Sequence, residues 1–545
     1  MRLQDLDVDR GLKLRLQRRR GLFLLAIPLI LSSFTHLWNP VGYPSIQTDE
    51  GTYMRRTLMI LEKIGLHEGE NIYTRPFDHP YFGQLFLASI LGLVGYPAVL
   101  DPISTNLESV QSIYFIPRIA MGILAVVDTF LVYKIAERHY DRRVALIAGI
   151  FFAVMPFSWL LRRIWLDPIQ LPFLLCSVYF ALDGLHNKNT SEDKKPLLII
   201  LLSGVFLGLA IFTKVPAFTL IPLVGFLILR KSQKNFATFG LWLIPVVLIP
   251  SLWPIHALLN GELSGWAEGF LWQATGRIDR PLWMAFEKVL QIDPMIVVLG
   301  IGGLIFAALR RDFLVLLWTV PLLIFLQWIG YVSYWFLIPI LPVFCIGSAN
   351  MIVKLTDKIR HKNTRKLLAF SATSCLCIFG LISTIILIGN NVNSSYFQTV
   401  AATARLVSMH TTSSNDNHEK SVTLVGNRWV PGFSWILDLI FLEKIEYKKF
   451  YTKIYPINTA KAFVIVDQDF RRFIENKEDN SEHAQAIYNE SKTIEKIDDN
   501  PLNRDLNKYP FASIIESRSI GTIEIRQAIE NLNSTFATGK LSSAK

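Results

Sequence analysis

Long apolar runs separated by short polar clusters dominate the first two thirds of the chain. Runs long enough to cross a bilayer fall near 21–38, 112–135, 143–161, 167–183, 196–213, 216–230, 236–258, 293–309, 313–329, 334–352 and 366–389. A spanning helix needs about 20 apolar residues, so the pattern predicts about eleven membrane-spanning helices. A twelfth apolar stretch, 82–99, is interrupted by Gly92, Gly95 and Pro97. From about residue 390 the pattern changes. Val422–Val425, Ala462–Val466 and Thr522–Ile525 read as β-strands, with helical stretches around Trp435–Leu442 and between the later strands. The expected architecture is an α-helical polytopic membrane protein with a small C-terminal α/β domain. The last dozen residues, rich in Ser, Thr, Lys and Ala, read as disordered.

Charge decides the status of the twelfth stretch. If 82–99 does not cross, the loops on the N-terminal side hold Lys134, Arg138, Arg142 and Arg143; Lys188, Lys194 and Lys195; Arg230, Lys231 and Lys234; Arg310 and Arg311; and the cluster from Lys354 to Lys366. Every such loop is then basic, as cytoplasmic loops are. The expectation is therefore a cytoplasmic basic N-terminus over 1–20, a membrane domain over 21–389 with a large first outer loop over 39–111, and an extracytoplasmic domain over 390–545. The stretch 82–99 becomes a re-entrant or juxtamembrane helix on the outer face.

Composition agrees. Of 545 residues 51% are hydrophobic and 18% charged. The net charge of +11 does not signal nucleic acid, because Lys and Arg gather at the ends of apolar runs. Cys176, Cys345, Cys375 and Cys377 lie inside apolar runs and form neither a disulfide framework nor a zinc spacing. No small-residue cleavage site follows 21–38, so this run is expected to stay as the first helix.

With this topology the unusual polar residues collect at one membrane face. The first outer loop opens with Asp49, Glu50 and Tyr53, followed by an amphipathic helix to about Ile64. Asp49 and Glu50 also suit a helix N-terminus as capping carboxylates. The same loop holds Arg75-Pro76-Phe77-Asp78-His79-Pro80, which also reads as a Pro-bounded turn. Arg118 opens the next span, Arg162 and Arg163 precede Asp167, and Lys214 interrupts an apolar run. Each cation alone fits a side chain snorkelling to the interface. Together, both signs of charge at the hydrocarbon boundary point to a polar cavity in the outer leaflet, because each such group costs up to about 3 kcal/mol at full depth. Asp128 lies deeper, within the second span.

This arrangement resembles the GT-C glycosyltransferases, in the branch of protein O-mannosyltransferases and lipid A aminoarabinose transferases, over roughly residues 20–350. The resemblance implies a polyprenyl-phosphate-linked sugar as donor and a protein, glycan or lipid hydroxyl as acceptor. It matches Asp49 to the family's catalytic carboxylate, with Glu50 beside it and Asp167 as the second outer-face acid. His79-Pro80 matches the start of a His-Pro-Pro stretch whose second Pro is here Tyr81. Lys214 and Arg118, with Arg162 and Arg163 as alternates, are the expected donor-phosphate ligands. Asp78, His79, Tyr53 and Tyr334 line the expected pocket, and Tyr331 and Tyr334 occupy places where further donor-phosphate contacts would come. A divalent metal is compatible with the resemblance, but no ligand spacing supports one.

No GxxxxGK[ST] or GxGxxG motif is present, consistent with a lipid-linked rather than a nucleotide donor. Asp467-Gln468-Asp469 has the form of a metal-binding DxD, a pattern frequent by chance. Asn393, Asn489 and Asn533 begin N-x-[ST] sequons. Specificity is expected in the outer loops, including 260–290 with Trp266, Trp272 and Trp283. A transporter of lipid-linked substrates and an inactive scaffold are the rival readings. A transporter calls for polar groups near mid-membrane and a repeat between halves, which the chain lacks by inspection.

Overall fold

The computed structural model describes residues 21–63, 65, 77–100, 105–183, 194–231, 236–277, 280–411 and 422–426, and in the C-terminal part 433, 435–437, 440–441, 445–449, 462–477, 481–498 and 522–528. The basic segment 1–20, Arg75, Asn533 and the last dozen residues lie outside these.

The apolar stretches are helical throughout. They form α1 (Gly21–Leu37), α4 (Leu107–His139), α5 (Arg142–Val154), α6 (Leu166–Asp183), α7 (Lys194–Thr213), α8 (Ile221–Lys231), α9 (Phe236–Leu259), α12 (Pro294–Arg310), α13 (Phe313–Ile329), α14 (Leu341–Asp357) and α15 (Lys362–Ile388). Among the described residues, five helices are able by length and composition to cross a membrane alone, and up to seven if each bent pair is one span. The chain is a multi-pass membrane protein.

Boundaries follow from local chemistry. Asn106 caps α4 by accepting the Ser109 N–H at 2.8 Å, and Asp141 caps α5 by accepting those of Arg143 and Val144. Asp293 caps α12 with Pro294 behind it. α12 and α13 meet at a 119° bend, where Arg311 is left-handed with φ 55°. Between α7 and α9 the chains touch, because a Cβ at Gly204 or Gly208 would collide with the carbonyl oxygens of Trp242 and Pro245. This is the small-residue spacing that lets membrane helices approach closely.

Shorter helices cover one end of the bundle. α2 (Thr48–Leu61) and α3 (Phe82–Leu93) follow α1, and α10 (Leu263–Thr275) and α11 (Leu282–Ile292) follow α9. At 12 residues α3 extends about 18 Å, well short of a bilayer core.

After α16 (Ser394–Thr411) comes a five-stranded sheet of β1 (Val422–Gly426), β2 (Ile445–Lys449), β3 (Ala462–Val466), β4 (Ser491–Ile497) and β5 (Ile523–Ala528). Its order is β2-β1-β3-β5-β4, with β2, β1 and β3 parallel and β5 antiparallel to both β3 and β4. The predicted β1 and β3 match these positions, and the third predicted strand is shifted by one residue at its start. The edge strands β2 and β4 carry little apolar signal, since β4 exposes Lys492, Thr493 and Ile494.

Period-two alternation sends the sheet's two faces to different partners. Val425, Val464 and Val466 pack on α17 (Gln468–Glu475) and α18 (Ser481–Asn489) through Phe470, Ala484 and Ile487. Leu424, Phe463 and Ile465 join a core with α16, Trp435, Met54 and Leu58 of α2, Leu87 and Leu91 of α3, and Ile113 and Tyr114 of α4. Trp435 Nε1 donates to Tyr114 Oη at 3.1 Å. The sheet domain thus sits on the bundle end that carries α2 and α3, here termed the domain-bearing end.

Candidate active site

Segment 38–47, between α1 and α2, is held almost entirely by side chains from elsewhere. Arg118 Nη1 donates to the carbonyls of Pro40 at 3.0 Å and Pro44 at 2.7 Å. Arg162 donates to the carbonyls of Trp38 and Asn39, and Arg163 to that of Ser45. A buried backbone without regular structure needs such partners. The 3-10 turn Pro156–Arg162 and the following residues place Arg162 and Arg163 beneath this loop.

The loop delivers α2, whose first turn carries both acids. Gln47 is the N-cap, and Glu50 closes a capping box by accepting the Gln47 N–H at 3.2 Å. Glu50 is fully buried and saturated. It accepts two bonds from Arg118 Nη2 at 3.0 and 3.1 Å, one from Arg163 Nη1 at 3.0 Å and one from the Ile164 N–H at 3.3 Å. Arg163 is sandwiched between Trp159 and Trp165, 5.0 and 4.9 Å from their ring centres. Arg118, Arg162 and Arg163, the expected donor-phosphate ligands, bond here to the chain itself, with Arg162 Nε and Nη1 and Arg163 Nε left without a partner among the described residues. Their engaged donors go to the Glu50 carboxylate, to the Ser45 hydroxyl and to loop carbonyls, and the sequence could not reveal the carbonyls because they are backbone atoms.

Asp49 has the opposite environment. It is partly covered, and its oxygens have no hydrogen bond or ion pair among the described residues. Its electrostatic neighbours are Lys214, Arg277, Asp78 and Asp167. Burial raises its carboxyl above the usual range, and Lys214 and Arg277 partly offset that.

The other acids are paired. Asp167, in the first turn of α6, accepts both bonds from Lys214 Nζ, at 2.8 and 2.7 Å. Lys214 stands where α7 stops before Val215-Pro216, a break that Gln170 braces by donating to the carbonyls of Ala210 and Lys214. Its ammonium lies 4.2 Å from the centre of the Phe336 ring. Asp78 accepts from Arg56 of α2 at 2.8 Å. Burial acts to raise Asp78, and the charge and hydrogen bond of Arg56, with Arg277, outweigh it, so its carboxyl is held below the usual range. Burial pushes His79 down to about 3 against the opposing pull of Asp78, which keeps the imidazole neutral. His79 lies beside the Tyr53 ring and within 3.5 Å of Gln273 Nε2. The Tyr53 phenol faces Asp49, Asp78 and Asp167, and burial with these charges raises it well above its ordinary value. Tyr334 borders the same space near Gln47, Asp49 and Arg163.

Two site residues were missed from the sequence. Arg56 fixes the Asp78–His79 turn to α2. Arg277 follows α10, its guanidinium stacked 4.8 Å from the Trp272 ring centre and 4.7 Å from that of Tyr331. Its Nε is buried without a hydrogen-bond partner among the described residues. A backbone pairing of Arg280 with Gly330 and Val332 pins the loop below it. The available signal was an Arg on the face expected opposite to the basic loops, soon after Trp266, Phe270 and Trp272.

The remaining expectations separate from this site. Trp266 packs with Trp253 and Phe270, and Trp283 is exposed. Asp128 lies within α4 with both oxygens buried and unpartnered among the described residues. Asp467 of the DxD caps α17 by accepting the Phe470 N–H at 2.8 Å, a structural use. Among the described residues no group of three or more His, Cys, Asp or Glu converges to hold a metal.

Residues 103–255 match the family model of dolichyl-phosphate-mannose-protein mannosyltransferases. No curated protein matches the chain in sequence. Among solved structures, ArnT from Cupriavidus metallidurans bound to undecaprenyl phosphate matches with a TM-score of 0.54 at 11% identity, covering 93% of this chain and 97% of that one. The oligosaccharyltransferase of Archaeoglobus fulgidus, tethered to an acceptor peptide, matches with a TM-score of 0.52 at 11% identity over 85% of this chain and 72% of that one. The same archaeal enzyme, AglB, with an inhibitory peptide and dolichol phosphate gives 0.51 at 11% identity over 84% and 71%. The chain thus shares its fold with these membrane enzymes, and its residues 103–255 match the protein-mannosyltransferase family model.

Proposed function

We propose that the protein transfers a sugar from a polyprenyl-phosphate donor to an acceptor hydroxyl, with Asp49 as general base. One observation carries this reading. Of the four acids gathered at the domain-bearing end, Asp49 alone has no ion-pair or hydrogen-bond partner among the described residues, while Glu50, Asp78 and Asp167 are each tied to a cation.

In this reaction the acceptor oxygen attacks the anomeric carbon as Asp49 takes the hydroxyl proton. The carbon–oxygen bond to phosphate breaks, and the lipid phosphate leaves with the electron pair. A base positioned for the attacking hydroxyl contributes on the order of 10²–10⁴-fold. A single displacement of this kind inverts the anomeric configuration.

The departing phosphate needs fixed cations. Arg277 suits this role, because stacking on two aromatic faces holds the guanidinium plane while leaving its edge donors for an anion. Lys214 supplies the second charge, oriented by Asp167, with one ammonium donor beyond those that Asp167 accepts. Tyr53, His79, Tyr331 and Tyr334 line the space where the sugar sits. The domain-bearing end faces away from the cytoplasm, and the basic loops of the opposite end face it, as the charge pattern requires.

The test is donor turnover by purified protein in lipid nanodiscs. Polyprenyl phosphate carrying labelled mannose or aminoarabinose is supplied with candidate hydroxyl acceptors. Release of free polyprenyl phosphate with a product of inverted configuration supports the reading. A retained configuration, or movement of intact donor between leaflets with no sugar released, sinks it.

A further inference from the structure

Asn393 stands between α15 and α16, where the sequence presents it as the first residue of an Asn393-Ser394-Ser395 sequon. The structure puts it to another use. Its side chain is fully buried, and its bonds all go to the segment that leads into α2. Oδ1 accepts the Ile46 N–H at 2.9 Å. Nδ2 donates to the carbonyls of Val41 at 2.8 Å, Pro44 at 2.9 Å and Gly42 at 3.3 Å. The Pro44 carbonyl is the same one that Arg118 holds, so one atom ties the α15–α16 junction to the guanidinium that clamps Glu50.

The segment reaches back in kind. Asn39 Nδ2 donates to the carbonyls of Ile388 and Asn390 and to Asn391 Oδ1, each at 3.0 Å. Gly42 fills the gap between the two strands of chain, where a Cβ would collide with the side chains of Asn39 and Asn391. Ile46 precedes the Gln47 cap, and Asp49 sits in the turn that this cap begins.

We propose that Asn393 is a positioning residue for sugar transfer: it fixes segment 41–46, and through it the place of Asp49, and it is not a glycan acceptor. The role in transfer rests on the reading of Asp49 as base. The physical basis is the carbonyl-rich loop. Removing the amide leaves the Val41 carbonyl and the Ile46 N–H without their side-chain partner, and the loop must rearrange to find water. A displacement near 1 Å at a reacting group costs up to about 10²-fold in rate.

The experiment compares full-length wild type, Asn393→Asp, Asn393→Ala and Ser395→Ala in nanodiscs. Asn393→Asp keeps the size and the acceptor for Ile46 and loses the donor. Ser395→Ala destroys the sequon and leaves the amide. Without ligand, hydrogen exchange of 38–54 is expected to rise about tenfold or more in both Asn393 variants, with α4 and α6 unchanged, since local opening is read selectively by exchange. With donor and acceptor, kcat is expected to fall by about tenfold or more while donor KM moves less than about threefold. Ser395→Ala is expected to match wild type in both assays, and its mass is expected to differ from wild type only by the substitution itself, with no glycan lost. Unchanged exchange and kcat in the Asn393 variants overturn the proposal, as does a Ser395→Ala protein that reproduces their loss. Exchange rising equally across α4 and α6 overturns it too, because that marks general destabilisation. If the wild type transfers no sugar, the catalytic reading fails and the exchange measurement decides the latch alone: a selective rise supports it and no rise overturns it.

Discussion

Both ends of the helical bundle are rich in charge, and they use it differently. At the end away from the sheet domain, Lys134 pairs with Glu137, Arg138 with Asp183, and Arg143 with Asp357, all partly exposed. These pairs join neighbouring residues or helix ends, and Lys134, Glu137 and Arg138 line an open surface pocket. At the domain-bearing end, Glu50, Arg118, Arg163, Asp167 and Lys214 are buried, and their pairs fix the loop that leads into α2 and the break after α7. The difference teaches how to read charge in a membrane protein. Exposed pairs report topology, whereas buried pairs with convergent partners report a built site.

The contrast sharpens to two adjacent residues. Glu50 is closed by donors from four residues and Asp49 by none among the described residues. The comparison predicts different kinds of failure, here from the largest effect to the smallest. Asp49→Asn should lower turnover by on the order of 10²–10⁴-fold in a donor-consumption assay. Its melting temperature should hold or rise, because an ionised carboxylate with a raised pKa opposes folding at neutral pH. Arg118→Met should instead lose about 3–5 kcal/mol of stability by leaving Glu50 partly unpaired, measured by thermal melting in detergent. Stability unchanged in Arg118→Met would break the distinction between closed and open acids.

Arg277→Met should leave the fold intact and raise donor KM about 10–100-fold, the worth of a charge-assisted hydrogen bond of about 1.5–3 kcal/mol. An unaltered KM would remove Arg277 from the phosphate site. The pH profile gives a smaller effect. Since Asp49 must be ionised to accept a proton, kcat/KM should fall on the acid side with a midpoint above the ordinary Asp value of about 4. His79, held neutral down to about 3, should add no step near 6.5. It contributes stability above its unfolded value of about 6.5, lost as pH falls from there toward 3. The smallest effect belongs to the opposite end. Arg143→Ala should cost no more than about 1 kcal/mol in melting experiments, since its side chain is 57% exposed.

Much of the architecture was legible because membrane helices announce themselves by length and composition. The short α3 was recognisable from its glycines and Pro97, and β1 and β3 from unbroken apolar runs. The edge strands were not, since β4 alternates poorly and takes its place from pairing with β5. The sequence singled out Asp49, Glu50, Asp167 and Lys214 because ionisable groups near hydrocarbon are conspicuous, and the fold brings them to one end of the bundle. It could not divide their roles. Whether an arginine meets a carboxylate, a carbonyl or open space depends on chain segments far away in sequence, such as Pro44 for Arg118. Arg277 escaped notice because its aromatic partners come from either side of it, Trp272 in α10 and Tyr331 after α13.

The most direct test of the division between Asp49 and Glu50 is chemical rescue. Asp49→Ala and Glu50→Ala proteins in nanodiscs are assayed for donor turnover while formate is titrated in as a small exogenous base. The account predicts that Asp49→Ala is inactive, folds like wild type and regains turnover with formate. It predicts that Glu50→Ala is destabilised and gains nothing. Full turnover of Asp49→Ala without formate, or rescue of Glu50→Ala by it, would contradict the assignment of Asp49 as the base and Glu50 as its support.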